Sequence, residues 1–330
     1  NVGGNESGQQ AVFVGQGVTD EENAFMVDGV EITDMSAIGS SSTYYDFDQF
    51  AEMQFATGGS DVSKASSGVS VNMVTKRGTN EFRGSARFFR TDDRYFGGAL
   101  EQEVPVFEQP DPILAPEQES FVGNSIDKIT DYGFEAGGPV LRDRLWFWGA
   151  FCTNDIRNRS GGDVLEDVQP DDTILENSAF KLNWQIASPN SFVASWNNGN
   201  KQKFGRDAGP TRPRPTTWDQ RGPTAIYKFE DTHVFNASMF LTGNYSKVDG
   251  GFELACIACK AAGSPDAAPE TLWDADGVWQ NSFLSGRSSR PSEEFKISGS
   301  YFFNTGSSTS HELKYGARMR DFEAQSPFHW

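Results

Sequence analysis

Four stretches of the chain alternate strictly between apolar and polar positions, over residues 179–187, 235–246, 295–303 and 311–320. In the first of them Phe180, Leu182 and Trp184 share one face, and Lys181 and Asn183 share the other. Successive side chains of a β-strand point to opposite faces, so a period of two predicts strands with one apolar and one polar face. Soluble sandwiches and membrane barrels both contain such strands, so alternation alone leaves the two open.

The lengths of the connections favour the barrel. Nine candidate strands lie at 82–91, 131–139, 144–157, 177–187, 191–204, 223–230, 234–248, 293–303 and 310–322. Tight turns are predicted at 139–143, 188–190, 231–233 and 304–309, and long loops at 92–130, 158–176, 205–222 and 249–292. Short turns at one rim and long loops at the other are typical of a transmembrane antiparallel β-barrel. A compact soluble domain rarely contains structureless loops of this length.

Residues 1–81 have a different texture from the rest of the chain. Their apolar runs are short and are interrupted by Gly, Ser and Asp, as in residues 69–74. This pattern predicts a small mixed domain of short strands and turns, with one short helix near residues 46–51. The chain is therefore predicted to be all-β, with a small domain at 1–81 and barrel strands over 82–330.

Composition excludes several classes of function. The net charge of −18 argues against a nucleic-acid partner, because such proteins need a basic face to displace counterions. Three histidines among 330 residues offer little for acid–base catalysis, so no enzyme activity and no cofactor are predicted. The 27 Phe, 8 Trp and 8 Tyr agree with a β-rich chain.

Several motifs resemble one family. The run VTKRGTNEFRG at 74–84 is similar to the plug-to-barrel junction of TonB-dependent outer-membrane receptors, and most resembles their Oar-type group. NAFMVDGV at 23–30 resembles a plug strand ending in Asp28 and Gly29, and GGPV at 137–140 with DRLWFWG at 143–149 resembles the first periplasmic turn and the strand after it. TAIYKFEDTH at 224–233 and HELKYG at 311–316 extend the resemblance along the chain.

The resemblance implies an active transporter in the bacterial outer membrane, with a plug domain gating the barrel lumen. Its partners would be outer-membrane lipid, the TonB energy-coupling complex acting through a region outside this chain, and an unknown extracellular ligand. Nine strands leave two open edges that lipid cannot satisfy, so a partial barrel and a longer protein are expected. The alternatives are a surface adhesion or structural β-protein that binds a partner through its long loops, and a secreted β-rich hydrolase.

Site residues follow from the motifs and the alternation. The junction is predicted at Thr75, Lys76, Gly78, Thr79 and Asn80, with Gly78 at positive φ in a periplasmic turn. A base at the lipid midplane costs about 2–4 kcal/mol. Seven bases are therefore predicted to face the lumen: Arg83, Arg87, Lys181, Lys296, Lys314, Arg318 and Arg320. Residues 1–80 carry eleven carboxylates and three bases, so these lumenal bases are expected to face an acidic plug.

Two further features lie in predicted loops. Cys256 and Cys259 are predicted to form a disulfide in an oxidising compartment, with free thiols or a metal site left as alternatives. Loops 92–119 and 160–176 contain fourteen acidic residues and one base. Such loops are predicted to be solvated surface, with a site for a hard cation such as Ca²⁺ left as an alternative.

Overall fold

The computed structural model describes residues 19–57, 68–92, 101–102, 121–122, 125–160, 169–209, 211–256, 272–275, 277–281, 285–306 and 309–329. Within these residues the chain forms a small sheet, a large curved sheet and two short hairpins. Helical structure there is limited to three 3₁₀ turns at Asp20–Glu22, Phe47–Gln49 and Arg214–Thr216. None of the helices in the described residues has the length and apolar character needed to cross a membrane.

The small sheet contains the first four strands. They are β1 (Ala24–Val27), β2 (Val30–Glu31), β3 (Phe50–Ala56) and β4 (Ser70–Thr75). The spatial order is β2-β1-β4-β3, in which β1 and β4 run parallel and the other pairs run antiparallel. Its core holds Phe25, Val27, Val71 and Met73, which are almost fully buried. The helix predicted near 46–51 is a single 3₁₀ turn followed at once by β3.

The remaining strands follow in chain order. They are β5 (Arg83–Asp92), β6 (Glu101–Gln102), β7 (Phe121–Val122), β8 (Ser125–Leu141), β9 (Leu145–Ser160), β10 (Gln169–Ala187), β11 (Asn190–Arg206), β12 (Trp218–Asn236), β13 (Met239–Asp249), β14 (Gly251–Cys256), β15 (Leu272–Trp273), β16 (Trp279–Gln280), β17 (Ser285–Ser289), β18 (Ser292–Thr305), β19 (Thr309–Phe322) and β20 (Phe328–His329). In the described residues, nine of them form a continuous antiparallel path, β19-β18-β13-β12-β11-β10-β9-β8-β5. The prediction of an all-β partial barrel with a small N-terminal domain is confirmed.

Several predicted boundaries are wrong. The turn expected at 231–233 lies inside β12, and the chain reverses instead between Asn236 and Met239. There the side-chain oxygen of Asn236 accepts a 2.8 Å hydrogen bond from the Ser238 backbone N–H, which stabilises the turn. Strands also extend into the predicted long loops, since β8 starts at Ser125, β10 at Gln169 and β12 at Trp218. Their cross-strand ladders continue where the outward side chains become polar, so hydrophobic alternation ends before the strand does.

The two faces of the large sheet have different surroundings. Along β10 and β12, Lys181, Thr224 and Lys228 point toward the small sheet and contact it. Phe180, Trp184 and Tyr227 lie on the opposite face and are exposed. The large curved sheet, which we call the wall, contributes Ile226 and Val248 to the apolar core of the small sheet. The small sheet therefore packs inside the curve of the large one, with an aromatic-rich surface outside.

Candidate functional site

Asp28 makes several hydrogen bonds at the interface between the two sheets. Its side chain accepts hydrogen bonds from the Thr75 backbone N–H at 3.0 Å, from the Thr75 hydroxyl at 2.5 Å and from Lys181 Nζ at 3.0 Å. Its backbone carbonyl accepts a 2.8 Å hydrogen bond from Lys228 Nζ. The Asp28 and Lys181 side chains are only 5% and 10% exposed. Asp28 thus ties two plug strands to two strands of the wall.

The local sequence explains how Asp28 reaches this position. Asp28 and Gly29 form the two-residue turn of the β1–β2 hairpin, with φ of 50° and 78°. An Asp-Gly pair suits a type I′ turn, which needs positive φ at both central residues. The side-chain oxygen of Asn72 accepts a 3.0 Å hydrogen bond from the Gly29 N–H and fixes the turn against β4.

Two further plug acids face bases of the wall. Glu31 on β2 pairs with Arg318, and its other oxygen lies 3.0 Å from Arg320 Nη1. Asp34 pairs with Arg290 next to β18. Together with Asp28, these acids form a row of contacts with the wall. One edge of the small sheet is therefore held to the wall by charge-assisted hydrogen bonds.

Arg87 forms a second centre, on the first barrel strand. Its guanidinium lies 2.9 Å from Asp46 and 2.6 Å from Asp48, which are both on the plug. The Nε atom donates a 2.7 Å hydrogen bond to Asp131 on β8. One planar guanidinium therefore holds three carboxylates, a geometry that suits its fixed fork of donors. A cleft of about 280 Å³ beside this centre is lined by Cys152 among others.

The junction connects the plug to the rim of the wall. Lys76 Nζ lies 2.7 Å from Glu135, which also accepts a 3.1 Å hydrogen bond from the Trp148 indole. Asn80 accepts hydrogen bonds from the Asp143 N–H at 2.9 Å and from Trp146 Nε1 at 2.7 Å. The junction thereby docks on the turn between β8 and β9.

The expected conformation of Gly78 is wrong, because its φ is not positive. A Cβ built on Gly78 would lie 2.2 Å from the Phe147 carbonyl oxygen, so glycine is needed for close approach to β9. The bend in the chain falls at Asn80 and Glu81 instead. There the Thr79 hydroxyl accepts a 3.3 Å hydrogen bond from the Glu81 N–H.

The other predicted lumenal bases occupy different settings. Arg83 lies on the same face as Arg87, yet its ion pair in the described residues is with the junction residue Glu81, at 2.5 Å, and not with an acid of the small sheet or its loops. Its hydrogen bond lowers the pKa of the Glu81 carboxyl. Lys296 is the cross-strand partner of Arg318, and Lys314 is that of Ser300, so both lie on the inner face by register.

Sequence reasoning missed other wall contacts. Lys228 and Arg290 bind the plug, and Lys201 is fully buried with its Nζ 3.1 Å from the Tyr44 hydroxyl. Lys201 is four residues from Asn197, which also lies on the inner face. The alternation of side chains along 191–204 could therefore have placed Lys201 on the inner face from the sequence. Burial raises the pKa of Tyr44 and, more strongly, that of Tyr45.

Only part of the predicted cysteine and metal sites falls within the described residues. Cys256 is disulfide-bonded, Cys152 is a buried free thiol, and Cys259 lies outside the described residues. The pairing of Cys256 with Cys259 stays a prediction. In the described residues no group of three or more His, Cys, Asp or Glu side chains is placed to hold a metal ion. Most of loop 92–119 lies outside those residues, so the calcium alternative also stays a prediction.

Comparisons with known proteins show what the chain is similar to. A comparison with known family descriptions finds no match. Among curated proteins, 143 residues (43% of this chain) are 29% identical to the TonB-dependent transporter Oar of Myxococcus xanthus and cover 12% of it. The chain thus spans about an eighth of that relative. The match names the group that the sequence motifs resemble, and that resemblance is confirmed.

Solved structures agree on the fold. The ferripyoverdine receptor of Pseudomonas aeruginosa matches with a TM-score of 0.62 and 12% identity, over 92% of this chain and 37% of the receptor. The outer-membrane transporter YddB of Escherichia coli gives 0.61 and 13%, over 97% and 44%. The siderophore receptor PirA of Acinetobacter baumannii gives 0.59 and 14%, over 96% and 42%. The chain has the plug-and-barrel fold of TonB-dependent receptors, a fold of the bacterial outer membrane.

Proposed function

We propose that this chain is the plug and first barrel strands of a transporter that moves a scarce or bulky ligand inward under TonB control. In this proposal the long loops bind the ligand and the energy-coupling complex pulls on the plug through a region outside this chain. The plug then shifts and opens a path along the wall. Two of the similar structures, the ferripyoverdine receptor and PirA, are named for siderophore ligands, and no ligand is assigned to this chain.

The observation that supports the proposal is the polar character of the plug–wall interface. Asp28, Glu31, Asp34, Asp46 and Asp48 of the plug all bind bases of the wall. In a wet lumen such polar groups can exchange their protein partners for water as the plug shifts, whereas a continuous apolar interface would lose its hydrophobic stabilisation on separation. The apolar contribution of the wall to the plug core is limited to Ile226 and Val248 in the described residues.

The native thiol of Cys152 provides a direct test. Cys152 is 4% exposed on β9, and its Sγ lies 3.9 Å from Nε2 of Gln49 on the plug. If the plug moves during transport, a small polar maleimide should label Cys152 of the full-length protein in energised cells supplied with a complex growth extract. A protonophore should suppress that labelling, and a Cys152→Ser variant reports the background. Labelling that is equal with and without the protonophore would contradict energy-driven plug motion and favour the adhesion alternative.

A cross-link that prevents the plug from moving tests the same motion. Gln49→Cys places a second thiol beside Cys152, within reach of a short bifunctional thiol reagent. With a bis-methanethiosulfonate reagent the link is made through two disulfides, and energy-dependent growth on the complex extract should be abolished until reductant cleaves them. The matched control is Gln49→Cys in a Cys152→Ser background, which cannot be linked. Full activity of the linked protein would contradict a moving plug.

A further inference from the structure

The outer face of the wall changes character along its strands. On β9 the outward positions nearest the short turns are Phe147 and Phe151, and those further along are Asp155 and Arg157. On β11 the apolar series ends at Trp196 and continues with Asn198 and Asn200. An apolar band is therefore followed by a charged band, which we call the collar. The collar lies where an apolar membrane core gives way to lipid headgroups.

Most of the collar is internally paired. Arg90 lies 2.7 Å from Asp92, Arg159 lies 2.5 Å from Asp127 and 3.5 Å from Asp172, and Lys247 lies 2.9 Å from Glu293. Each of these charged side chains has a neighbour of opposite sign on the same face. Because these charged groups already pair with one another, few of them are available to bind a ligand.

The collar is interrupted at one cavity of about 550 Å³. It opens where β12 stops pairing with β13 and pairs instead with β14, after a bend at Gly251 with φ of 152°. Asn198 and Gln202 of β11 form one side of the cavity, and β17 forms the other. The lining side chains of β11 and β12 belong to the outer face, because Thr224, which alternates with Arg221 and Pro223, points inward and bonds to Ser42 of the plug.

Three charged side chains cross the cavity in one row. Arg221 on β12 is the cross-strand partner of Glu253 on β14, which is the partner of Arg287 on β17. All three are exposed. Across the described ranges, none of them forms an ion pair or a side-chain hydrogen bond, and neither does Asp249 at the same cavity. Here, in contrast to the rest of the collar, Arg221, Glu253 and Arg287 are left without a close ion pair in the described residues.

We propose that this cavity binds the phosphorylated saccharide headgroup of an outer-leaflet lipid. The two guanidinium groups offer the forked donors that suit phosphate oxygens, and basic clusters at headgroup depth are a recognised form of lipid site. The carboxylates of Asp249 and Glu253 accept hydrogen bonds from sugar hydroxyls, and the Asn198 amide can donate or accept. Acyl chains of the same lipid lie along Trp196 and Tyr227, which are cross-strand partners on the apolar band below.

The test uses the full-length protein and purified lipopolysaccharide as the probe. Protein extracted in mild detergent is assayed for retained lipopolysaccharide phosphate, then stripped and titrated with the probe. An Arg221→Gln/Arg287→Gln variant should bind about tenfold more weakly or worse, because it loses two charge-assisted contacts. The matched control, Arg90→Gln/Arg159→Gln, removes the same charge from the paired collar and should bind like the wild type. Arg221→Lys/Arg287→Lys should bind with intermediate affinity.

The outcomes separate the possible ligands. Vesicles of phosphatidylglycerol and millimolar inorganic phosphate should not displace the probe, since neither supplies the saccharide. Displacement by inorganic phosphate would overturn the proposal in favour of a simple anion site. Equal losses in the test and control variants would overturn it in favour of general charge attraction, and so would unchanged binding in the test variant. Heat-modified gel mobility of each variant verifies that the barrel is assembled.

Discussion

Lys181 Nζ lies 3.0 Å from a carboxylate oxygen of Asp28, and the pair joins β10 of the wall to the tip of the β1–β2 hairpin. Lys181 also donates to the Thr75 hydroxyl at 3.0 Å and to the Thr75 carbonyl at 3.3 Å. The two plug elements named by the sequence motifs, Asp28 and the junction at Thr75, therefore meet at a single lysine of the barrel. This contact therefore joins the folded plug to the inner face of the wall.

Substitution of Asp28 should loosen the plug more than substitution of Lys181. Asp28→Asn leaves a largely buried ammonium without its counter-charge, which costs about 3 kcal/mol or more. Lys181→Met costs less, because Thr75 still donates two hydrogen bonds to Asp28. Hydrogen exchange of β1 and β4 in the full-length protein measures the opening free energy, and the double variant should lose less than the sum of the two.

The exposed pair Lys247–Glu293 on the outer face provides the control for that cycle. Both side chains are at least 40% exposed, so solvent screens their interaction and their coupling should be much weaker than that of Asp28 and Lys181. Equal coupling energies for the two pairs would contradict a special role for Asp28.

Gly78 should tolerate no side chain, whatever the backbone preference of the replacement. Gly78→Ala and Gly78→Asn should both reduce the assembled fraction, because a Cβ there meets the Phe147 carbonyl oxygen. Asn favours positive φ, so rescue by Asn would indicate a turn requirement and contradict the steric one. Gly243→Ala is the matched control, since a Cβ at Gly243 has no heavy atom within 4 Å. Heat-modified gel mobility measures assembly.

Arg87 should not be replaceable by lysine. An ammonium is a point charge without a planar fork, and it cannot hold Asp46, Asp48 and Asp131 at once. We expect Arg87→Lys to lower the protection of residues 46–49 by about 1–2 kcal/mol, in line with the loss of charged hydrogen bonds. Arg83→Lys, on the same strand but paired only with exposed Glu81, should have no measurable effect on that segment. Hydrogen exchange reports both, and equal effects would contradict the assignment.

Alkaline pH should destabilise the plug through Tyr45. Burial raises the pKa of Tyr45 above its ordinary value, so the phenol stays neutral in the folded plug when the unfolded chain ionises. The stability due to this shift is fully present below about pH 10 and is lost as the pH rises from there toward the folded-state pKa. Tyr45→Phe should flatten that loss, as followed by the tyrosinate absorbance and by hydrogen exchange of the plug. An unchanged pH dependence in Tyr45→Phe would assign the effect to another group.

The sequence by itself determined the class of fold and the face on which many residues lie. Strict alternation placed Lys181 and Arg318 opposite to Phe180 and Leu313, since the side-chain period of a strand is fixed by backbone geometry. The acidic plug and the basic inner face were likewise readable from charge and alternation. The Asp-Gly turn at 28–29 was also readable, because few residues accept positive φ.

Only the tertiary structure decided which charges meet and where strands end. The partner of Arg87 is a plug segment some forty residues earlier, whereas Arg83, two strand periods away on the same face, pairs locally with Glu81. Glycine is required at position 78 because β9 approaches the chain closely there. The outer cavity forms where β14 replaces β13 as the partner of β12. Such contacts depend on how segments distant in sequence are brought together, and local periodicity carries no information about that distance.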